Sequence, residues 1–255
     1  MTHSQKQYRC RLDWGRHGTQ RAVERSDVLV IVDVLSFSTT TATAMSYGGI
    51  IYPCTQDEDT GAFARRIGGE AAVHHRRDVP EKGRFSLSPS TFVDSEPGTR
   101  VVIASPNGAT CSRYARQVPY LFVEALVNAQ AVAMAVSQVV EEQQLNVTVI
   151  ACGERWKEPT EDGTLRVAVE DYLGAGAILS YLRLEKSPEA RICEGAFLHV
   201  RDDLANVVWE CESGRELREM GFGGDVQHAA QLNVYDVAPI MSGDHLKRFT
   251  MEQDR

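Results

Sequence analysis

Apolar positions in this chain fall into short runs separated by polar, glycine-bounded stretches. VLVIVDVL (28–35) is continuous except for Asp33, the pattern of a strand buried on both faces. STTTATAMSYGG (38–49) has a hydroxyl-rich start, small residues and a closing glycine pair, which predicts a helix. The same reasoning predicts strands at 50–53, 71–74, 100–105, 121–126 and 146–152. It places helices at 57–67, from 109 to Arg116, at 128–143 and at 166–184. Gly174 and Gly176 inside the last helix cost it stability, so a close packing contact is expected there. Residues 76–99, rich in Arg, Pro, Gly and Ser, read as a long irregular segment, and 153–164 as a charged loop. Residues 187–230 read as mostly helical, with a closing strand within 231–241.

Strands alternating with helices imply an α/β fold, a doubly wound, mostly parallel sheet flanked by helices. Residues 1–26 read as a lead-in segment, 27–242 as the folded region in one or two α/β lobes, and 243–255 as a tail. At 255 residues the chain is long enough to bury a substantial core. Sheets of this kind bind ligands at the carboxyl ends of their strands, so the polar residues just after each strand are the ones to weigh.

Composition narrows the function classes. A net charge of −8 argues against a nucleic-acid surface, which needs an excess of Lys and Arg. It leaves room for a small anionic substrate, because a bound divalent cation reverses the local sign of a site. No apolar stretch is long enough to span a bilayer, and the polar start lacks a signal-peptide core, so a cytoplasmic location with no membrane partner is expected. The six cysteines are scattered without a closely spaced pair, which points to buried free thiols rather than structural zinc.

Asp33 stands in an apolar strand, where an unpaired carboxylate is costly. It reads as a metal ligand or nucleophile, or as the cap of the next helix. Leu35 stands where a second aspartate of a DxD phosphatase would be, which disfavours that mechanism. Ser38, Thr39 and Thr40 open the following helix and suit either an anion or ordinary capping. Asn107 and Gly108 form a turn after another strand, with an amide and backbone N–H groups that could hold an oxyanion. Glu154 could reach a metal and Arg155 an anion. Glu170 and Asp171 are adjacent on a helix and point in different directions, so one of them is expected at the site. Asp33 with Glu170 or Asp171 fits Mg²⁺, which takes few carboxylates together with waters and substrate oxygens.

VDVLSFSTTTATAMSYGG (32–49), GRFSLSPS (83–90), SPNGAT (105–110), the Asn-Ala at 128–129, IACGERW (150–156) and VEDYLGAGAIL (169–179), in this order, resemble the 2-phosphosulfolactate phosphatase family. The C-terminal stretch 211–241 is similar to the family's closing part. The resemblance implies a magnesium-dependent phosphatase releasing phosphate and sulfolactate from 2-phosphosulfolactate, and a homodimer. It implies catalytic and metal roles for Asp33, Glu170 and Asp171. It also implies substrate binding by Ser38, Thr39, Asn107 and Gly108, with Thr40 beside them. The chain departs from the family pattern at Ser36 and Ala71, where the family carries basic residues, and at Leu87, where it carries asparagine. Arg84 and Arg155 are the expected replacements, since a guanidinium binds phosphate or sulfonate in a bidentate way. The alternatives are a phosphatase for another small carboxylated ester and a non-catalytic anion-binding relative.

Overall fold

The computed structural model describes residues 5–161 and 163–250. In chain order the elements are β1 (Cys10–Trp14), α1 (Gly15–Glu24), β2 (Val28–Val32), α2 (Phe37–Ser46), β3 (Ile50–Cys54), α3 (Thr60–Ile67), β4 (Glu70–Ala71), β5 (Arg100–Ala104), α4 (Gly108–Tyr114) and β6 (Leu121–Glu124). They continue with α5 (Ala129–Gln143), β7 (Val147–Ala151), β8 (Glu154–Thr160), β9 (Gly163–Arg166), α6 (Val169–Tyr181), α7 (Pro188–Val200), α8 (Leu204–Glu210), α9 (Glu212–Glu219), α10 (Gly223–Ala229), β10 (Pro239–Ser242) and β11 (His245–Arg248).

Nine strands form one sheet in the order β1-β7-β2-β6-β10-β11-β3-β5-β4. β1, β7, β2 and β6 run parallel, as do β3, β5 and β4. The β10–β11 hairpin lies between the two parallel blocks and pairs antiparallel with β6 on one side and β3 on the other. The expected doubly wound, mostly parallel α/β architecture is therefore present, with one antiparallel seam. β2 sits inside its block, and all five of its residues are inaccessible to solvent. Each fully buried Leu or Ile on such a strand contributes roughly 1.5–3 kcal/mol of transfer free energy.

The structure departs from the sequence reading in three places. The lead-in supplies β1 and α1, and β1 pairs with β7 along its whole length. The expected tail contributes β11 to the sheet, while residues 1–4 and 251–255 lie outside the described residues. The charged loop after β7 is an antiparallel ribbon, β8 paired with β9. No apolar alternation marked it, because β8 is exposed on both faces over most of its length.

α2 is buried from Phe37 through Met45 despite its hydroxyls. Thr43 and Ser46 donate to the carbonyls of Thr39 and Ala42 one turn back, so their polar atoms are satisfied within the helix. α6 is equally buried, and its two glycines explain how. A Cβ on Gly174 would come within 2.7 Å of Val34, and one on Gly176 within 2.5 Å of the Cys193 carbonyl. The helix thus lies against the β2 turn on one side and α7 on the other. All six cysteines are free and buried, as expected.

Candidate active site at the carboxyl ends of β2, β5 and β7

The chain leaves β2 at Asp33, which is 4% exposed. Its Oδ1 accepts from the Phe37 amide at 3.2 Å and its Oδ2 from the Gly108 amide at 2.7 Å. These N–H groups belong to the N-termini of α2 and α4, where unsatisfied donors and the helix dipole favour negative charge. Gly108 has to be glycine, because a Cβ there would lie 2.6 Å from the Phe37 ring and 2.7 Å from Asp33. Burial pushes the Asp33 pKa up to about 6; the two amides oppose that shift, neighbouring Glu170 adds to it and Arg76 opposes it.

Glu170 and Asp171 open α6 and are both buried. Asp171 Oδ1 accepts from the Val34 amide at 2.7 Å and Oδ2 from the Gly153 amide at 2.8 Å. It therefore ties the turn after β2 to the turn after β7. Burial, with Asp33 and Glu170 nearby, pushes its pKa well up. Among the described residues no backbone N–H donates to the Glu170 carboxylate; the Cys211 thiol donates to its Oε2 at 3.4 Å. Adjacent on the helix, the two carboxylates are divided as expected, one holding backbone and one left for other contacts.

Glu154, at the start of β8, completes the group. Asn107 Nδ2 donates to its Oε2 at 3.0 Å. Burial, then Asp33 and Glu170, push its pKa up to about 8. Glu124, at the end of β6, was not singled out from the sequence. Both its oxygens are buried without a hydrogen-bond partner among the described residues, and burial pushes its pKa well up.

The hydroxyls of Ser38, Thr39 and Thr40 are buried and already engaged, which corrects the expectation that they donate to a phosphate. Ser38 Oγ accepts from the Asp33 amide, Thr39 donates to the Val34 carbonyl and Thr40 to the Leu87 carbonyl. They shape the turn that carries Asp33. Arg84 is also placed elsewhere: its side chain is 61% exposed and pairs with Glu70 through Nε and Nη2. Arg155 stays beside the group, lining a cavity of about 230 Å³ with Asn107 and Glu154.

The guanidinium that the sequence reading missed is Arg76. It donates to Ser36 Oγ at 2.6 Å, to the Leu87 carbonyl and to Asp225. The hydroxyl at position 36 thus receives a cation delivered by the 76–99 segment. The HHRR run at 74–77 was the available signal, but nothing in the sequence says that the segment folds back onto α2.

Comparison with known proteins now decides the family. The family model of 2-phosphosulpholactate phosphatase matches residues 16–244. This chain belongs to that family. A probable 2-phosphosulfolactate phosphatase of Carboxydothermus hydrogenoformans is 28% identical over 83% of this chain and 84% of its own length. A protein of the same description from Pseudothermotoga lettingae is 27% identical over 87% of this chain and 92% of its own. The 2-phosphosulfolactate phosphatase of Methanocaldococcus jannaschii is 25% identical over the same shares, 87% and 92%. As a member of this family the chain is a phosphoric monoester hydrolase.

The group suits a hard cation by its chemistry. Among the described residues no three His, Cys, Asp or Glu side chains form a ready metal cage. Mg²⁺ needs less, a carboxylate or two beside waters and substrate oxygens. Asp33, Glu170 and Glu154 are near enough that Glu170 helps to raise the pKa of Asp33, and both help to raise that of Glu154, with Arg76 opposing the shift at Asp33 and Arg166 at Glu154. Asp33 and Asp171 each accept a backbone amide on both oxygens, which leaves further lone pairs on each for a cation.

Proposed function

We propose that the protein is a magnesium-dependent phosphatase that hydrolyses 2-phosphosulfolactate to sulfolactate and phosphate. The observation that carries this reading is the convergence of Asp33, Glu154 and Glu170 at one end of the sheet, in a member of this family. Asp33 and Glu170 would hold Mg²⁺, with Glu154 in reach. When bound, the ion would polarise the phosphoryl oxygens and neutralise their developing charge.

The chain's own groups set the geometry. The amides of Phe37 and Gly108 fix Asp33, so it does not swing when substrate enters. Asp171 holds the turns after β2 and β7 at a constant separation, which keeps Glu154 near Asp33. Such preorganisation is the protein's main contribution to phosphoryl transfer. Asn107 orients Glu154 through its side-chain amide.

The test is phosphate release from 2-phosphosulfolactate with and without Mg²⁺, beside a panel of small phosphate esters. Selective release that requires Mg²⁺ supports the proposal. Release only from other carboxylated esters keeps the chemistry and moves the substrate, the outcome that Ser36 and Ala71 make worth testing. No release from any ester by folded protein defeats it.

A further inference from the structure

The geometry points to a second anion subsite beside the carboxylate group, built by Arg16 and Arg155, that takes a carboxylate or sulfonate carried on a carbon near the phosphate ester. This inference rests on the proposed phosphatase reading for its substrate, and deepens it by locating the rest of the molecule.

Arg16 enters the pocket from the first turn of α1. Its Nη2 donates to the Pro106 carbonyl at 2.8 Å, one residue before Asn107. Its Nε is buried and has no hydrogen-bond partner. A buried guanidinium N–H without an acceptor is costly, and a bound anion is the group that would satisfy it. Arg155 stands on β8, next to Glu154. Neither arginine forms an ion pair with a carboxylate among the described residues, unlike Arg11, Arg76, Arg84, Arg113 and Arg166.

Two cavities meet at this pair. One, about 230 Å³, is lined by Arg16, His17 and Arg155 on one side and by Asn107 and Glu154 on the other. The second, about 270 Å³, is lined by Arg16 and Arg155 again, with Thr55, Gln56, Thr110 and the acidic Asp57. The two guanidinium groups therefore stand between the carboxylate group and an outer polar chamber. The α1 N-terminus faces the inner cavity without a side-chain cap and with no acidic residue in its first turn. An ester whose phosphate lies beside Asn107 in the inner cavity would extend its other anionic group towards Arg16 and Arg155, which line the same cavity. Arg84 does not offer this, being paired with Glu70.

The experiment compares Arg16→Met, Arg155→Met and Arg16→Lys with the wild type by two readouts. The first is the ratio of kcat/KM for phosphoglycolate, which carries a second anion, to that for ethyl phosphate, which does not. The expected result is a fall in this ratio of about tenfold or more in either Met variant, through KM, with partial recovery in Arg16→Lys. The second is calorimetric binding of sulfoacetate, which has the carboxylate and sulfonate but no phosphate. Wild type is expected to bind it and both Met variants to lose it. The Arg155 side chain makes no hydrogen bond or ion pair among the described residues, so its variant keeps the test valid if Arg16→Met unfolds. If no ester is hydrolysed yet sulfoacetate binds in an arginine-dependent way, the subsite stands and the phosphatase reading falls. An unchanged ratio, or sulfoacetate affinity indifferent to both arginines, overturns the subsite.

Discussion

Asp33 and Asp171 each accept two backbone amides, yet their surroundings give them different roles. Asp171 bridges the turns after β2 and β7. Asp171→Asn turns one acceptor into a donor facing an N–H, leaving a buried group unsatisfied. A loss of about 1–3 kcal/mol in unfolding free energy is expected, with Mg²⁺ dependence retained. Denaturant titration beside a Mg²⁺ activation curve checks this, and loss of the metal response with unchanged stability would reverse the assignment. Asp33→Asn should lose stability by the same argument, and in addition kcat is expected to fall on the order of a hundredfold or more and the Mg²⁺ concentration for half activation to rise. Activity near that of the wild type would remove Asp33 from the chemistry. Arg84→Ala, by contrast, should change stability by less than about 1 kcal/mol, since its partner Glu70 is also exposed.

Among the elements, those with continuous apolar runs or clear glycine stops were legible before the structure. β2, β5, β6 and β7 lie where the runs placed them, and the close approach of α6 was foretold by Gly174 and Gly176. What the sequence hid was decided by tertiary contact. The β8–β9 ribbon is largely solvated, and β11, in the expected tail, is too short to stand without the sheet that the β10–β11 hairpin joins. Within the site, Asp33, Glu170 and Gly108 were legible from type and position. The engagement of Ser38, Thr39 and Thr40, and the arrival of Arg76, depend on how distant segments dock. Gly176→Ala separates packing from propensity: helix propensity alone predicts a gain of about 1 kcal/mol. The collision with Cys193 and Phe197 of α7 predicts instead a loss of about 1–3 kcal/mol. Thermal melting decides between them.

An ionic link on α4 carries its own pH signature. Arg113 of α4 donates to Glu58 and Asp244, tying the loop before α3 to the β10–β11 turn. Partial burial works against ionisation of Glu58, but the Arg113 and Thr55 hydrogen bonds win and hold its pKa down to about 2. A depressed acid stabilises the fold above its unfolded pKa and loses that contribution as pH falls through the folded value. Glu58→Gln should therefore lower the melting midpoint at pH 7, and the gap to wild type should close between about pH 4.5 and 2. A gap independent of pH would mean that shape rather than charge matters at this link.

At the scale of the whole molecule the carboxylate group makes the opposite prediction. Asp33 and Glu154 have folded pKa values pushed up to about 6 and about 8, from ordinary values of 3.8 and 4.5. A raised acid keeps its proton in the folded state after the unfolded chain has released it. Between about pH 4 and 8 the folded protein thus binds more protons, and this group makes the metal-free protein less stable as pH rises through that window. A divalent cation supplies the missing positive charge only to ionised carboxylates, so it competes with protons for the same oxygens. Mg²⁺ should accordingly raise the melting midpoint more at pH 8 than at pH 5, measured against protein in chelator at each pH. In Asp33→Asn and Glu170→Gln the increment at pH 8 should shrink, because the oxygens that gain from the ion are fewer. An equal increment at both pH values would place the binding on exposed acids of this −8 chain, which are ionised throughout the range. No increment at pH 8 would mean that the buried charge is relieved by substrate or by protons, and the metal would drop out of the mechanism.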